Sequence, residues 1–412
     1  MTAPQISSLK PSGQAEDSKV IGRPYRLDNI DFLRGLVIII MALDHVRDYL
    51  GAGLVAQNPT SDDASLATFF TRIITHLCAP IFVFLAGTSA GLLAIRRSPQ
   101  EVGRFLLTRG LWLVLIELVV VSQLWTFNFS GLPFLGGLVG LSFQVIGAIG
   151  VSMIVLGGLQ LLGAKVCLIL GLIIVVGHNS LDSFWPTPNF GETGVPLWVS
   201  LHAQMASSFG PFSLFIAYPP LPWIGIILLG YSAASLFNNS NEKQSLQWLV
   251  VGISMLLLFF LLRLTQAYGD PNEWKVYDDI ELTLRSIFNV TKYPPSLLFT
   301  LLTLGVGSLI LAAYHKIPRP IQSACITFGR APFAVYIAHL LLIHSAACVL
   351  GVLQGFEIQQ FFTLYFMFPN GYGLSLFGVY IAWVVLMIAL YPFAAWMNRV
   401  KSQNKHWWLS YL

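Results

Sequence analysis

Residues 36–50 read LVIIIMALDHVRDYL: eight apolar side chains run into Asp44, His45, Arg47 and Asp48. Counted from Ile30, the segment is as long as a membrane-spanning helix, for which a hydrocarbon core of ~30 Å needs about 20 residues. The rest of the chain has the same character. Of its 412 residues 55% are apolar and only 10% charged, and the mean hydropathy is +0.70. Too few ionic groups are present to coat a soluble globule of this length, so the composition predicts an all-α, polytopic membrane protein. The 35 glycines and 22 prolines, spread through apolar stretches, suit membrane helices.

Ten segments meet or approach the length requirement: 30–50, 66–94, 103–126, 137–162, 164–178, 213–237, 247–266, 294–314, 322–352 and 373–398. Residues 355–369 form a candidate eleventh, interfacial element. Residues 1–25 are polar and read as a disordered cytoplasmic tail, 26–400 as one transmembrane domain, and 401–412 as a cytoplasmic C-terminal tail. With ten spans and both ends inside, 17 of the 23 lysines and arginines fall on the inner side and six on the outer, the bias expected of basic cytoplasmic loops. The outer segments 179–212 and 267–293 carry acidic residues, including Asp278 and Asp279. The net charge of +4 is therefore a topology signal, with no nucleic-acid partner implied. Cys78, Cys167, Cys325 and Cys348 all lie in apolar stretches, which argues against a disulfide framework or a zinc knuckle.

His45 lies ~22 Å along the first helix from Ile30, in the outer third of the membrane. Asp44, Arg47 and Asp48 can form an interfacial charge cluster paired at i,i+3 and i,i+4. Alternatively, Asp44 and His45 line a wet cavity open to the outside, where the imidazole takes and returns a proton. Adjacent helix positions point ~100° apart, which leaves a residue on another helix free to orient His45. Arg72 and His76, one turn apart in the second span, can face the same cavity. So can His344, whereas His339 and His344, five residues apart, do not present a shared metal-binding face. No metal site is expected. Glu117, in the middle of the third span, must be protonated or bonded to another helix. Tyr218-Pro-Pro and Tyr293-Pro-Pro are expected to open helices that run from outside to inside.

Five blocks carry a family resemblance: RLDNIDFLRGLVIIIMALDHVRDYL (26–50), HLCAPIFVFLAGTSAGL (76–92), YPPLPWIGIILLGY (218–231), KYPPSLLF (292–299) and GRAPFAVYIAHLLLIH (329–344). Together they resemble the catalytic-domain family of heparan-α-glucosaminide N-acetyltransferase, in particular its bacterial members, from about Arg26 to the C-terminus. The resemblance implies a transmembrane acyltransferase of the bacterial inner membrane that draws acetyl-CoA from the cytosol and acetylates a sugar amine or hydroxyl at the outer face. The implied partners are membrane lipid and a glycan or amino-sugar acceptor, and a homodimer is compatible with it. In that family an active-site histidine lies on the outer side just beyond the first helix. Loop 51–65 here holds no histidine, so His45 is the nearest candidate, with Asp44 beside it.

Such chemistry needs a base for the acceptor and donors for the developing oxyanion. Asn128, Trp223, Lys292 and Tyr293 are candidate donors, and Arg47, Asp48, Arg72, His76 and His344 complete the expected outer cavity. Arg34, Arg109 and Arg330 suit coenzyme A phosphates, while the Arg96–Arg97 pair reads as a stop-transfer flank. The competing class is a small-molecule or envelope-precursor transporter without acyl transfer, since intramembrane ionisable groups and proline-interrupted spans serve transport equally well.

The basic asymmetry makes a direct prediction. In intact cells an impermeant thiol reagent should label Asp278→Cys and leave Lys401→Cys unlabelled; the reverse pattern would invert the orientation.

Overall fold

Helix α1, Asp28–Leu50, sets the arrangement of the rest. Asp28 and Asp31 in its first turn and Arg47 in its last complement the helix dipole. It packs along the helices Arg319–Gly329 and Pro332–Leu353, and against those at Leu66–His76, Cys78–Ala94, Leu297–Ala313 and Leu376–Gln403. A computed structural model describes residues 27–51, 65–189, 192, 194–404 and 406. The expected N-terminal tail 1–25, most of the outer loop 51–65 and most of the C-terminal tail lie outside the described residues. Helix α14 extends through Gln403, so the last three helical residues belong to the bundle and not to the tail.

The remaining helices are α2 (Leu66–His76), α3 (Cys78–Ala94), α4 (Pro99–Ile116), α5 (Ser122–Thr126), α6 (Val145–Leu159), α7 (Ala164–Gly177), α8 (Pro220–Ala233), α9 (Asn241–Thr265), α10 (Ile280–Phe288), α11 (Leu297–Ala313), α12 (Arg319–Gly329), α13 (Pro332–Leu353) and α14 (Leu376–Gln403). Helix α4 starts in a capping box, with Ser98 and Glu101 satisfying each other's backbone amides and Pro99 in the first turn. A π turn, Glu117–Val121, joins it to α5 without a break. Among the described residues nine helical segments are long and apolar enough to cross a membrane. The 23-residue α1 falls outside that set because Asp28, Asp31, Arg34, Asp44, Arg47 and Asp48 all belong to it. The protein is an all-α, polytopic membrane protein, as the composition predicts.

Five expected segments differ in detail. Residues 66–94 bend at Leu77, between α2 and α3. The expected span 322–352 is broken at Arg330–Ala331, where Pro332 disfavours a helical residue before it, so α12 is a separate short helix. The ends of spans 137–162 and 213–237 are strands: β1 (Val139–Phe143) pairs in parallel with β3 (Phe212–Ile216), and β2 (Met205–Phe209) pairs antiparallel to β3. Residues 355–369 hold two short 3-10 turns, Ile358–Phe361 and Tyr365–Met367.

Helices α1 and α12 are in backbone contact. A Cβ on Gly35 would stand 1.7 Å from the Cys325 carbonyl oxygen, and one on Gly329 1.8 Å from that of Asp31. Gly35→Ala is therefore expected to lower the thermal midpoint in detergent, with a loss of about 1–3 kcal/mol. Gly158→Ala, at a helical glycine with open space beside it, should leave the midpoint unchanged or raise it.

Candidate active site

The last two turns of α1 divide their ionisable groups between two directions. On one side Asp44 Oδ1 accepts from Arg47 Nη2 at 2.7 Å and from Thr75 Oγ1 at 2.8 Å. Lys292 Nζ lies 3.9 Å from Asp44 Oδ2. Arg47 also donates to Asp48 Oδ1, through Nη2 at 2.8 Å and Nε at 3.3 Å. The i,i+3 pairing expected within the charge cluster is present, while Asp48 pairs with the adjacent Arg47 and not at i,i+4; α2 and the segment before α11 also contribute to the cluster. Burial opposes the charge on Lys292, but Tyr293 and Asp44 outweigh it and hold the ammonium pKa above its ordinary value.

His45 turns away from Asp44. Its Nδ1 lies 2.7 Å from Nε2 of His339 on α13, and the two rings lie edge to edge and nearly coplanar, with centroids 4.9 Å apart and 11° between their planes. His339 Nδ1 lies 3.1 Å from the Val335 carbonyl oxygen, which can only accept. That contact assigns the proton of neutral His339 to Nδ1 and makes its Nε2 an acceptor. His45 Nδ1 must then be the donor, and the lone pair of a neutral His45 is left on Nε2. Trp125 meets the His45 ring edge-on at 5.0 Å, and Tyr336 lies at 6.3 Å.

Asp44 and His45 line a cavity of about 430 Å³. Thr75, Tyr218 and Lys292 share that end of it. Met41, Phe82, Leu113, Ile149 and Phe333 form an apolar waist, and Arg34, Arg109, Arg330 and Lys401 line the opposite end. Along α1 alone, Arg34 and His45 are ~16 Å apart at 1.5 Å per residue. At the basic end Arg34 donates to Asp31 at 3.0 Å, Ser89 Oγ at 2.9 Å and the Gly329 carbonyl at 3.3 Å. Arg330 pairs with Asp28 and Asp31, and Lys401 Nζ donates to the Arg330 carbonyl. This donor set suits a polyanion whose remaining length is apolar enough to pass the waist.

The other expected residues are placed as follows. Arg72 is half-buried on α2 and His76 is buried, its ring packed on Phe299 at 5.4 Å; both lie off the cavity wall. His344 is committed to structure: its ring nitrogens contact the carbonyls of Leu124 and Phe361, and Phe127 stacks on it at 3.8 Å. Trp223 is fully buried against Tyr218 and does not reach the wall. Tyr293 Oη donates to Tyr218 Oη at 3.3 Å, so it touches the cavity through that neighbour. Asn128 holds its own loop, donating to the Phe362 carbonyl and accepting from Ser130 and Gly131 amides. Tyr218-Pro-Pro opens α8 as expected, whereas α11 begins four residues after Tyr293, capped by Ser296. Glu117 accepts from the Gly147 amide of α6 at 2.7 Å. Arg96 and Arg97 are exposed beyond the cavity.

His339, Tyr336, Trp125 and Lys401 were not expected at the site. Tyr336 and His339 are three apart and so share a face of α13, a weak signal that a polar pair looks inward. Nothing local marks His339 as the partner of a residue 294 positions earlier. Among the described residues no group of three His, Cys, Asp or Glu side chains could hold a metal ion.

A comparison with known protein families matches residues 26–265 to the family described as heparan-alpha-glucosaminide N-acetyltransferase, catalytic. No curated protein matches the chain. The matched region takes in Arg34, Asp44, His45, Arg109 and Trp125, and stops at the end of α9. With well over half its length covered, including the histidine and the arginines at the two ends of one cavity, the chain belongs to the heparan-alpha-glucosaminide N-acetyltransferase catalytic family and is a transmembrane acetyltransferase.

Proposed function

We propose that the cavity is the path of an acetyl group from acetyl-CoA to a sugar amine or hydroxyl, with His45 Nε2 as the base. The supporting observation is that one continuous cavity touches both the Arg34/Arg109/Arg330/Lys401 end and the Asp44/His45/Lys292 end. In this reading the basic end faces the cytosol, in keeping with the lysine and arginine bias, both termini are cytoplasmic and the protein sits in the bacterial inner membrane. Guanidinium and ammonium groups there bind coenzyme A phosphates, and the apolar waist admits the pantetheine and thioester. The acceptor approaches from the outer end, beside Lys292 and Tyr218. His339 holds the His45 ring and tautomer; Asp44 acts on the imidazolium through its charge, since its hydrogen bonds go to Arg47 and Thr75.

Thiol release from acetyl-CoA by the purified protein, with water or glucosamine as acceptor, tests this. His45→Gln should abolish turnover while coenzyme A affinity stays near the parent value, because a positioned base contributes on the order of 10²–10⁴-fold. Asp44→Asn should retain the fold and part of the rate, and the parent rate should rise with pH as His45 becomes the neutral base. Undiminished transfer by folded His45→Gln would overturn the proposal.

At the other end, Arg109→Ala should weaken coenzyme A binding by about 1.5–3 kcal/mol, the usual loss for a hydrogen bond to a charged group. Calorimetry showing parental affinity in this variant would remove Arg109 from the donor site.

A further inference from the structure

Buried polar atoms in a folded protein are nearly always hydrogen-bonded, so those without a partner point to something that binds. Among the described residues such orphaned side-chain atoms occur on 13 residues, and only Trp125 and Tyr336 of these line the cavity. Their orphaned atoms are the indole Nε1 and the phenol Oη. Both residues are buried, at 4% and 3% exposure, and both rings stand edge-on to His45. The indole N–H can only donate, and the phenol hydrogen turns about its C–O bond toward any acceptor within reach. The two groups neighbour each other without closing a hydrogen bond of normal geometry. Trp125 is anchored by Tyr49 Oη, which donates to its carbonyl at 2.8 Å. Tyr336 lies one turn before His339 on α13.

The donors first suggested by the sequence are otherwise engaged. Asn128 is committed to its own loop, Trp223 lies off the wall, and Lys292 belongs to the Asp44 cluster. We infer that Trp125 and Tyr336 are the oxyanion donors of acyl transfer. This rests on the reading of His45 as base. As His45 Nε2 takes the acceptor's proton, the acceptor heteroatom forms its bond to the thioester carbon. The carbonyl π pair moves onto oxygen, where Trp125 Nε1–H and Tyr336 Oη–H stabilise the charge. Collapse of the tetrahedral intermediate breaks the C–S bond, expels the coenzyme A thiolate, and the proton on His45 passes to it. Donors shielded from water act on a developing charge in a low-dielectric site, where each counts for more than it would in water.

The experiment compares Tyr336→Phe, Trp125→Phe and His45→Gln in acetyl-CoA thiol release with glucosamine as acceptor. Each Phe variant should lose on the order of 10²–10³ in kcat, the usual effect of removing one oxyanion donor. KM for acetyl-CoA and the shape of the pH profile should be unchanged, because binding and the base are intact. The thermal midpoint of Tyr336→Phe should hold or rise, since the change deletes an unpartnered hydroxyl and little volume. Trp125→Phe opens a void, so if it fails to fold, Tyr336→Phe carries the test alone. Parental kcat in folded Tyr336→Phe, with His45→Gln inactive, overturns the oxyanion assignment and leaves the base in place. Full activity in His45→Gln overturns the base and this inference with it.

Discussion

Charge inside a membrane-length helix has to be neutralised by protein, because hydrocarbon offers nothing to solvate it. Helix α1 carries six charged residues and His45, and each end of it has recruited partners from distant parts of the chain. Asp31 holds Arg34 and Arg330, and through Arg330 the start of α13. Asp44 and Asp48 hold Arg47, with Thr75 and Lys292 alongside. A helix with these requirements can face little lipid, and α1 accordingly sits among α2, α3, α11, α12, α13 and α14. The polar contacts at its two ends define the two ends of the cavity, and the apolar turns between them, around Met41, form part of its waist.

The histidine pair follows from the same placement. A lone imidazole can carry its proton on either nitrogen, and only one tautomer leaves the lone pair of His45 on Nε2. Here the choice is transmitted from a backbone carbonyl: Val335 fixes His339, and His339 fixes His45. A backbone oxygen has no alternative role, which makes this a more rigid determinant than the neighbouring carboxylate would have been. Asp44, held by Arg47 and Thr75, remains a charge near the imidazole without competing for its ring proton.

Much of this organisation is legible from the residues alone. Apolar segment lengths, the distribution of lysine and arginine, and the ionisable end of α1 yield a multi-span bundle with a polar end that holds His45 and a basic end. Arg34 and Arg109, which line the cavity, stand out in the sequence because each flanks an apolar segment directly. What stayed hidden is long-range. The sequence favours His344 over His339 for the cavity, yet His339 contacts His45 and His344 braces loop carbonyls, a difference set by α13's rotation within the bundle. The strands VGLSF and FSLFI are apolar runs that read as ends of spans, because periodicity does not separate a short buried strand from a helix terminus. The break before Pro332 had a local signal, but the apolar run on either side of it masked the stop.

The π turn at Glu117–Val121 has a geometric consequence for the site. An α-helix advances 100° per residue, and a π turn accommodates one residue more than the α-helical turn it replaces. Everything beyond it, including Trp125, is therefore out of phase with α4 by about that angle. The indole meets His45 at this shifted phase. The register of α5 acts as a rotational setting on the Trp125 side of the cavity, held by the Glu117 contact to the start of α6 and by Ser122 Oγ, which donates to the Glu117 carbonyl within the turn. A helix of ordinary pitch through the same stretch would keep every residue of the cavity wall in the chain and turn the Trp125 indole away from His45.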